Sequence, residues 1–216
     1  MPTTLKDEAC IVGIGETEFS KNSGRSELQL ACEAVSAALD DCGLEPSKVD
    51  GLTTFTMDTS DEIEVAQAVG LGDLKFYSRI PYGGGAAIGV MQQAVMAVAT
   101  GVADYVVVYR AFNERSGRRY STGIADGIVT ADLIHWSWYM PFGLLTPASW
   151  VAMFTQRYMH QYGATGEDLA RVAVSARKFA VNNPRAFFYG KPMTVEDHQA
   201  SRWIVEPLRL LDCCQE

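Results

Sequence analysis

Short β-branched apolar runs alternate with longer apolar stretches of helical period through the first half of the chain. Residues 9–14, ACIVGI, predict a buried strand closed by Gly15. Ser26 followed by Gln29 forms a capping box that opens a helix in which Leu28, Ala31, Val35, Ala38, Leu39 and Cys42 share one face, and Gly43 stops it. Asp50-Gly51 is a turn before a strand over residues 52–57, and a helix over 61–69 ends at Gly70. Residues 74–80 lead into the centre of the pattern, the stretch 77–110, YSRIPYGGGAAIGVMQQAVMAVATGVADYVVVYR. There a strand, a glycine-rich turn, a helix and a second strand follow with no spare residues. Ala86, Ala87, Val90, Met91, Ala94, Val95 and Val98 recur at helical spacing on a mostly apolar cylinder, and Gly101 is placed to end it. Residues 105–109, YVVVY, bounded by Asp104 and Arg110, predict a central strand covered on both faces. Strands alternating with helices of this length predict an α/β layered sheet, whose ligands gather at the carboxyl ends of the strands.

The rhythm changes between residues 110 and 190. The segment 134–145, IHWSWYMPFGLL, crowds Trp136, Trp138, Tyr139, Met140 and Phe142 around Pro141, which excludes a long helix. So much apolar surface needs cover from core, from a subunit partner or from a large apolar ligand. Helices follow over 147–162 and, capped by Thr165 with Asp168, through 180; Asn182-Asn183-Pro184 ends the second. Thr194 with Asp197 caps a short helical turn, and residues 204–211 predict an extended apolar piece.

The candidate chemistry sits at the turn. Tyr82 precedes Gly83, Gly84 and Gly85, which let the backbone adopt angles a Cβ forbids and let a ligand approach the main chain. A side chain at such an elbow lies beside the free N–H groups of a helix start, the arrangement that sets an acid or nucleophile next to an oxyanion hole. The same glycines equally serve close helix-to-sheet packing.

Composition narrows the field. A net charge of −8 argues against a nucleic-acid partner, and no run approaches the ~20 apolar residues of a membrane span. The N-terminus lacks the pattern of a secretory signal, and five cysteines without metal-ligand spacing read as reduced thiols, so a cytoplasmic location is expected. The histidines His135, His160 and His198 lack metal or carboxylate framing, and no metal site is expected; His135 stands apart by lying in the aromatic loop. Asp40-Asp41, and Glu62 with Glu64, read as solvated helix faces. Arg115, Arg118 and Arg119 form a small basic cluster, either a solvated loop or a contact for a phosphate-bearing group such as that of coenzyme A.

The residues IPYGGGAAIGVMQQA, followed by the strand ADYVVVYRAFNERSGRRY, resemble the nucleophile elbow of the thiolase superfamily, in particular the thiolase-like lipid-transfer proteins. Where that family's thiolases carry a cysteine, this chain carries Tyr82, a phenol with an unperturbed pKa near ~10 and a poor acyl acceptor. The resemblance covers the chain but only the first half of the family's pattern. It implies a layered αβα fold with residues 1–112 as core, including the elbow at 77–101. Residues 113–192 would then be a loop domain covering the active site, and 193–216 a return to the core, cut off before the second half as in a fragment or split subunit. It further implies a retro-aldolase acting on a β-hydroxyacyl-CoA steroid, with Tyr82 exchanging a proton and Gly83, Gly84 and Gly85 polarising the thioester carbonyl. His135, Trp136, Trp138, Tyr139, Met140 and Phe142 would line the substrate pocket. Coenzyme A enters as part of the substrate, and no cofactor is expected on this chain. A homodimer and a small OB-fold/zinc-ribbon subunit are the implied partners. A non-catalytic lipid or acyl-CoA carrier and an acetyl-CoA acyltransferase are the alternatives.

Overall fold

The computed structural model describes residues 5–55, 61–80, 86–113, 116 and 137–214. The chain divides into two compact units, Met1–Gly117 and Arg118–Glu216.

Among the described residues the first unit is built on a parallel sheet of three strands, β1 (Gly51–Phe55), β2 (Phe76–Ile80) and β3 (Val106–Tyr109), in the order β2-β1-β3. Register sets Gly51 opposite Phe76 and Val106, and Thr54 opposite Arg79 and Tyr109, so the three carboxyl ends lie side by side. Helix α1 (Glu27–Cys42) begins where the Gln29 N–H donates to the Ser26 hydroxyl at 3.1 Å and ends at Gly43, whose φ of 65° is left-handed. Helix α2 (Glu62–Val69) joins β1 to β2, and α3 (Ala86–Ala99) joins β2 to β3. These two connections run in opposite directions along the sheet, so right-handed crossovers set α2 and α3 on opposite faces. That is the αβα layering expected from the alternating pattern. Leu30, Val35 and Leu39 of α1 and Val65 of α2 bury themselves with Leu52 of β1 on one face. Val90, Ala94 and Ala97 form the buried side of α3.

Two strand expectations need correction. Among the described strands the centre is β1, buried over residues 51–54, whereas β3 flanks it and leaves Val108 exposed. The apolar run 105–109 looked central because β-branched content reports burial on faces and carries no information about neighbours. Residues 9–14 form no strand: Ile11, Val12 and Ile14 are exposed. This segment is held by α1 instead. The Ile14 N–H donates to the Asp41 carboxylate at 3.0 Å, and a Cβ on Gly13 or Gly15 would stand 2.2 Å from the carbonyl oxygen of Ala38 or Ala34. Cys10 on that segment is likewise exposed and outside the core.

A buried carboxylate ties the strands at their amino ends. Asp50 accepts from the Asp104 and Tyr105 N–H groups, each at 2.9 Å, and from Lys75 Nζ at 2.9 Å. Burial works against its charge, but the hydrogen bonds from Tyr105, Lys75 and Asp104 outweigh it and hold the carboxyl below its ordinary pKa.

The second unit carries α4 (Pro147–Tyr162), α5 (Gly166–Val181) and α6 (Val195–Ala200), followed by a hairpin of β4 (Trp203–Val205) and β5 (Leu208–Arg209). The predicted caps form: the Thr165 N–H donates to Asp168 and the Thr194 N–H to Asp197, both at 2.9 Å. The extended piece expected over 204–211 is folded back on itself as this hairpin, with a 3-10 turn Leu210–Asp212 after it. His198 is fully buried, its Nε2 2.7 Å from Asp212 Oδ1, and Gln199 Nε2 donates to the Gly166 carbonyl at 2.7 Å. This histidine is structural, since it links α6 to the turn that follows β5.

Candidate functional site

The carboxyl ends of the strands are where the first unit can present chemistry, and the described residues fix that end tightly. Gly89 of α3 faces the Ile80 side chain of β2, where an added Cβ would lie 2.9 Å from the movable Cδ1. The Ser78 hydroxyl donates to Gln93 Oε1, pinning the same strand to the same helix. Both contacts join the described end of β2 to α3. Arg79 grips Glu62 with Nε at 2.7 Å and Nη2 at 3.0 Å, tying the start of α2 to β2 in bidentate fashion. Glu62 is therefore a partner of the sheet, in place of the solvated face read from its spacing.

The exit from β3 is fixed as firmly. The Arg110 guanidinium lies 5.4 Å from the Phe55 ring centroid and 5.2 Å from that of Phe112. Asn113 donates its N–H to the buried Glu27 carboxylate at 3.1 Å and its Nδ2 to the Arg25 carbonyl at 2.6 Å, and its Oδ1 accepts from Ser23 at 2.9 Å. Arg79, Arg110 and Asn113 were not singled out as site residues from sequence, and Glu62 was read only as part of a solvated face. The signal that could have found Arg110 is a charged residue adjoining an apolar strand run, and for Arg79 it is a charged residue within a strand.

Tyr82, Gly83, Gly84 and Gly85 lie outside the described residues, as do Arg115, Arg118, Arg119, His135 and Trp136. Of the aromatic loop, Tyr139 is half-buried with its ring 5.2 Å from that of Trp150, while Met140 begins a 3-10 turn. Trp138 and Phe142 are 73% and 79% exposed, so within the second unit they bury little of their apolar surface. Among the described residues no group of histidine, cysteine and carboxylate side chains could hold a metal ion. No described helix is long and apolar enough to cross a membrane. Burial pushes the Cys32 thiol up from its ordinary pKa, the reverse of what an activated nucleophile needs.

The chain has a thiolase-like fold, a parallel sheet layered with helices. It aligns with an SCP2-thiolase-like protein of Mycobacterium smegmatis at a TM-score of 0.61 and 22% identity, over 92% of this chain and 41% of that one. No family model matches the sequence. More particularly, the chain is similar to steroid side-chain aldolases. It is 67% identical over 99% of its length to a steroid side-chain-cleaving aldolase of Thermomonospora curvata, and 63% identical over 98% to a 17-hydroxy-3-oxo-4-pregnene-20-carboxyl-CoA lyase of Mycobacterium tuberculosis. It spans 55% of each, so the chain covers about half the length of these relatives. A solved Ltp2-ChsH2(DUF35) aldolase matches it with a TM-score of 0.86 and 67% identity, over 95% of this chain and 52% of that one.

Proposed function

We propose that this chain is part of a thiolase-like retro-aldolase, a carbon–carbon lyase that cleaves the side chain of a β-hydroxyacyl-CoA steroid to a steroid ketone and a short acyl-CoA. The observation that carries this reading is the similarity along nearly the whole chain to two relatives named for that chemistry. In the substrate named for one of them, the hydroxyl carbon lies β to the thioester carbonyl. Removing the hydroxyl proton turns that carbon into a ketone, the pair of the adjoining carbon–carbon bond moves into an enolate, and a proton returned to the enolate carbon completes the short acyl-CoA.

No step of this reaction needs an acyl-cysteine, which accords with Tyr82 at the elbow. In this reading the Tyr82 phenol exchanges a proton at the reacting centre, and the backbone N–H groups around Gly83, Gly84 and Gly85 polarise the thioester carbonyl. Trp138, Tyr139, Met140 and Phe142, with His135 and Trp136, give the apolar wall a steroid needs. The hydrogen bond from Ser78 of β2 to Gln93 of α3 supports it, because an acid or oxyanion donor works only when held in place. The working protein is cytoplasmic and a homodimer, with a small OB-fold/zinc-ribbon subunit as a further partner. The position of β2 at the edge of the described strands and the need to cover Trp138 and Phe142 support association.

The test is mass analysis of products from a β-hydroxyacyl-CoA steroid, using the full-length protein with its candidate small subunit. The expected products are the steroid ketone and the short acyl-CoA, without consumption of free coenzyme A. Cleavage that requires added coenzyme A and leaves an acyl group on a cysteine would replace this reading with an acyltransferase. Tight binding with no cleavage would leave a carrier.

A further inference from the structure

The end of α5 and the loop after it concentrate positive charge. Residues 169–195 contain Arg171, Arg177, Lys178, Arg185 and Lys191 and no aspartate or glutamate, in a chain whose net charge is −8. Arg171 is neutralised by Glu167 and Asp168. Arg177 and Lys191 rest on aromatic rings instead. The Arg177 guanidinium stacks 3.6 Å from the Phe188 centroid, Lys191 Nζ lies 5.3 Å from that of Phe187, and the two rings meet edge to face at 5.0 Å. Arg177 Nη1 donates to the Lys191 carbonyl at 3.1 Å, and the Gly190 N–H donates to the Val181 carbonyl at 3.1 Å, so the loop is folded back onto the helix end.

Cations held on rings are positioned without being neutralised, and they meet an anion with little further loss of side-chain freedom. Two cations carried on touching rings match a phosphate monoester, which carries nearly two negative charges at neutral pH. Phe187 and Tyr189 stay half exposed beside them, and an exposed ring is a surface on which a nucleobase stacks. We propose that Arg177 and Lys191, seated on Phe188 and Phe187, form the subsite for the adenosine 3′-phosphate end of a coenzyme A thioester. This rests on the reading of the substrate as such a thioester. The long pantetheine arm lets the nucleotide end bind apart from the reacting atoms.

The test is calorimetric titration of the full-length protein with coenzyme A and with dephospho-coenzyme A, which lacks only the 3′-phosphate. The native protein is expected to prefer coenzyme A. Arg177→Gln and Lys191→Gln are each expected to weaken coenzyme A by about tenfold and dephospho-coenzyme A far less, so that the preference falls towards one. An unchanged preference in both variants overturns the proposal, whether both affinities drop together, as misfolding would cause, or neither moves, as a docking patch for an acidic protein would give. Loss of the preference in a protein that cleaves no steroid thioester would sustain the subsite and remove the proposed reaction. Cleavage with the preference intact in both variants would do the opposite.

Discussion

Asp50→Ala tests whether one buried carboxylate holds the sheet together. In the native protein Asp50 Oδ1 receives the N–H groups of Asp104 and Tyr105, both at 2.9 Å, and Asp50's own carbonyl receives the Lys75 N–H at 2.8 Å. Alanine removes the side-chain acceptor while leaving the backbone bond. Two partly buried donors lose a charged partner, which costs about 2–3 kcal/mol, the lower part of the range for such bonds because water reaches this rim. The Lys75 ion pair adds little, since that side chain is 59% exposed and the charge is screened. Asp50→Asn keeps an oxygen for both donors and gives up charge assistance only, costing about 1 kcal/mol. The sign with pH follows from the depressed folded-state pKa: the contribution is complete above the unfolded carboxyl value of ~3.9 and is lost as pH falls below it through the folded value. Urea unfolding followed by circular dichroism at pH 7, 5 and below 4 should show the gap between native and Asp50→Ala narrowing only in the most acidic series. A gap of less than about 0.5 kcal/mol at pH 7, or one that stays constant into strong acid, would refute this account.

Gly15→Ala should destabilise the first unit by about 1–3 kcal/mol, because its Cβ would stand 2.2 Å from the Ala34 carbonyl oxygen and 2.4 Å from the Ala38 nitrogen; an unchanged urea midpoint would show that the segment shifts off α1 freely. Tyr82→Phe should lower turnover of the β-hydroxyacyl-CoA steroid by about 10²- to 10⁴-fold with binding little changed, if the phenol exchanges a proton. Near-native turnover in that variant, with weakened binding or stability in Tyr82→Ala, would leave Tyr82 as a space-filling residue and the glycine backbone as the elbow's contribution.

Local chemistry was legible in the sequence because its causes lie within a few residues of their effects. Ser26, Thr165 and Thr194 start helices where their side chains meet donors three residues on or are met by Asp168 and Asp197, and Gly43 and Gly70 end helices in left-handed conformation. The alternation of strand and helix through residue 109 carried the layered α/β fold for the same reason, and the elbow stretch carried the resemblance to thiolases. What the tertiary structure decided depends on partners far apart in the chain. Only strand pairing could make β1 the centre and β3 its flank, since face burial is encoded locally and neighbour order is not. The run 9–14 has strand composition, yet it lies along α1 because Gly13 and Gly15 allow the close approach and Asp41 supplies a partner for the Ile14 N–H. Glu62 looked solvated until β2 brought Arg79 to it, and His198 looked incidental until the turn after β5 brought Asp212 within 2.7 Å. The Glu62 and His198 pairings follow from the cost of leaving a charge or a hydrogen-bonding group unpaired when it is largely buried. That cost selects a partner in three dimensions and leaves no periodic mark along the chain.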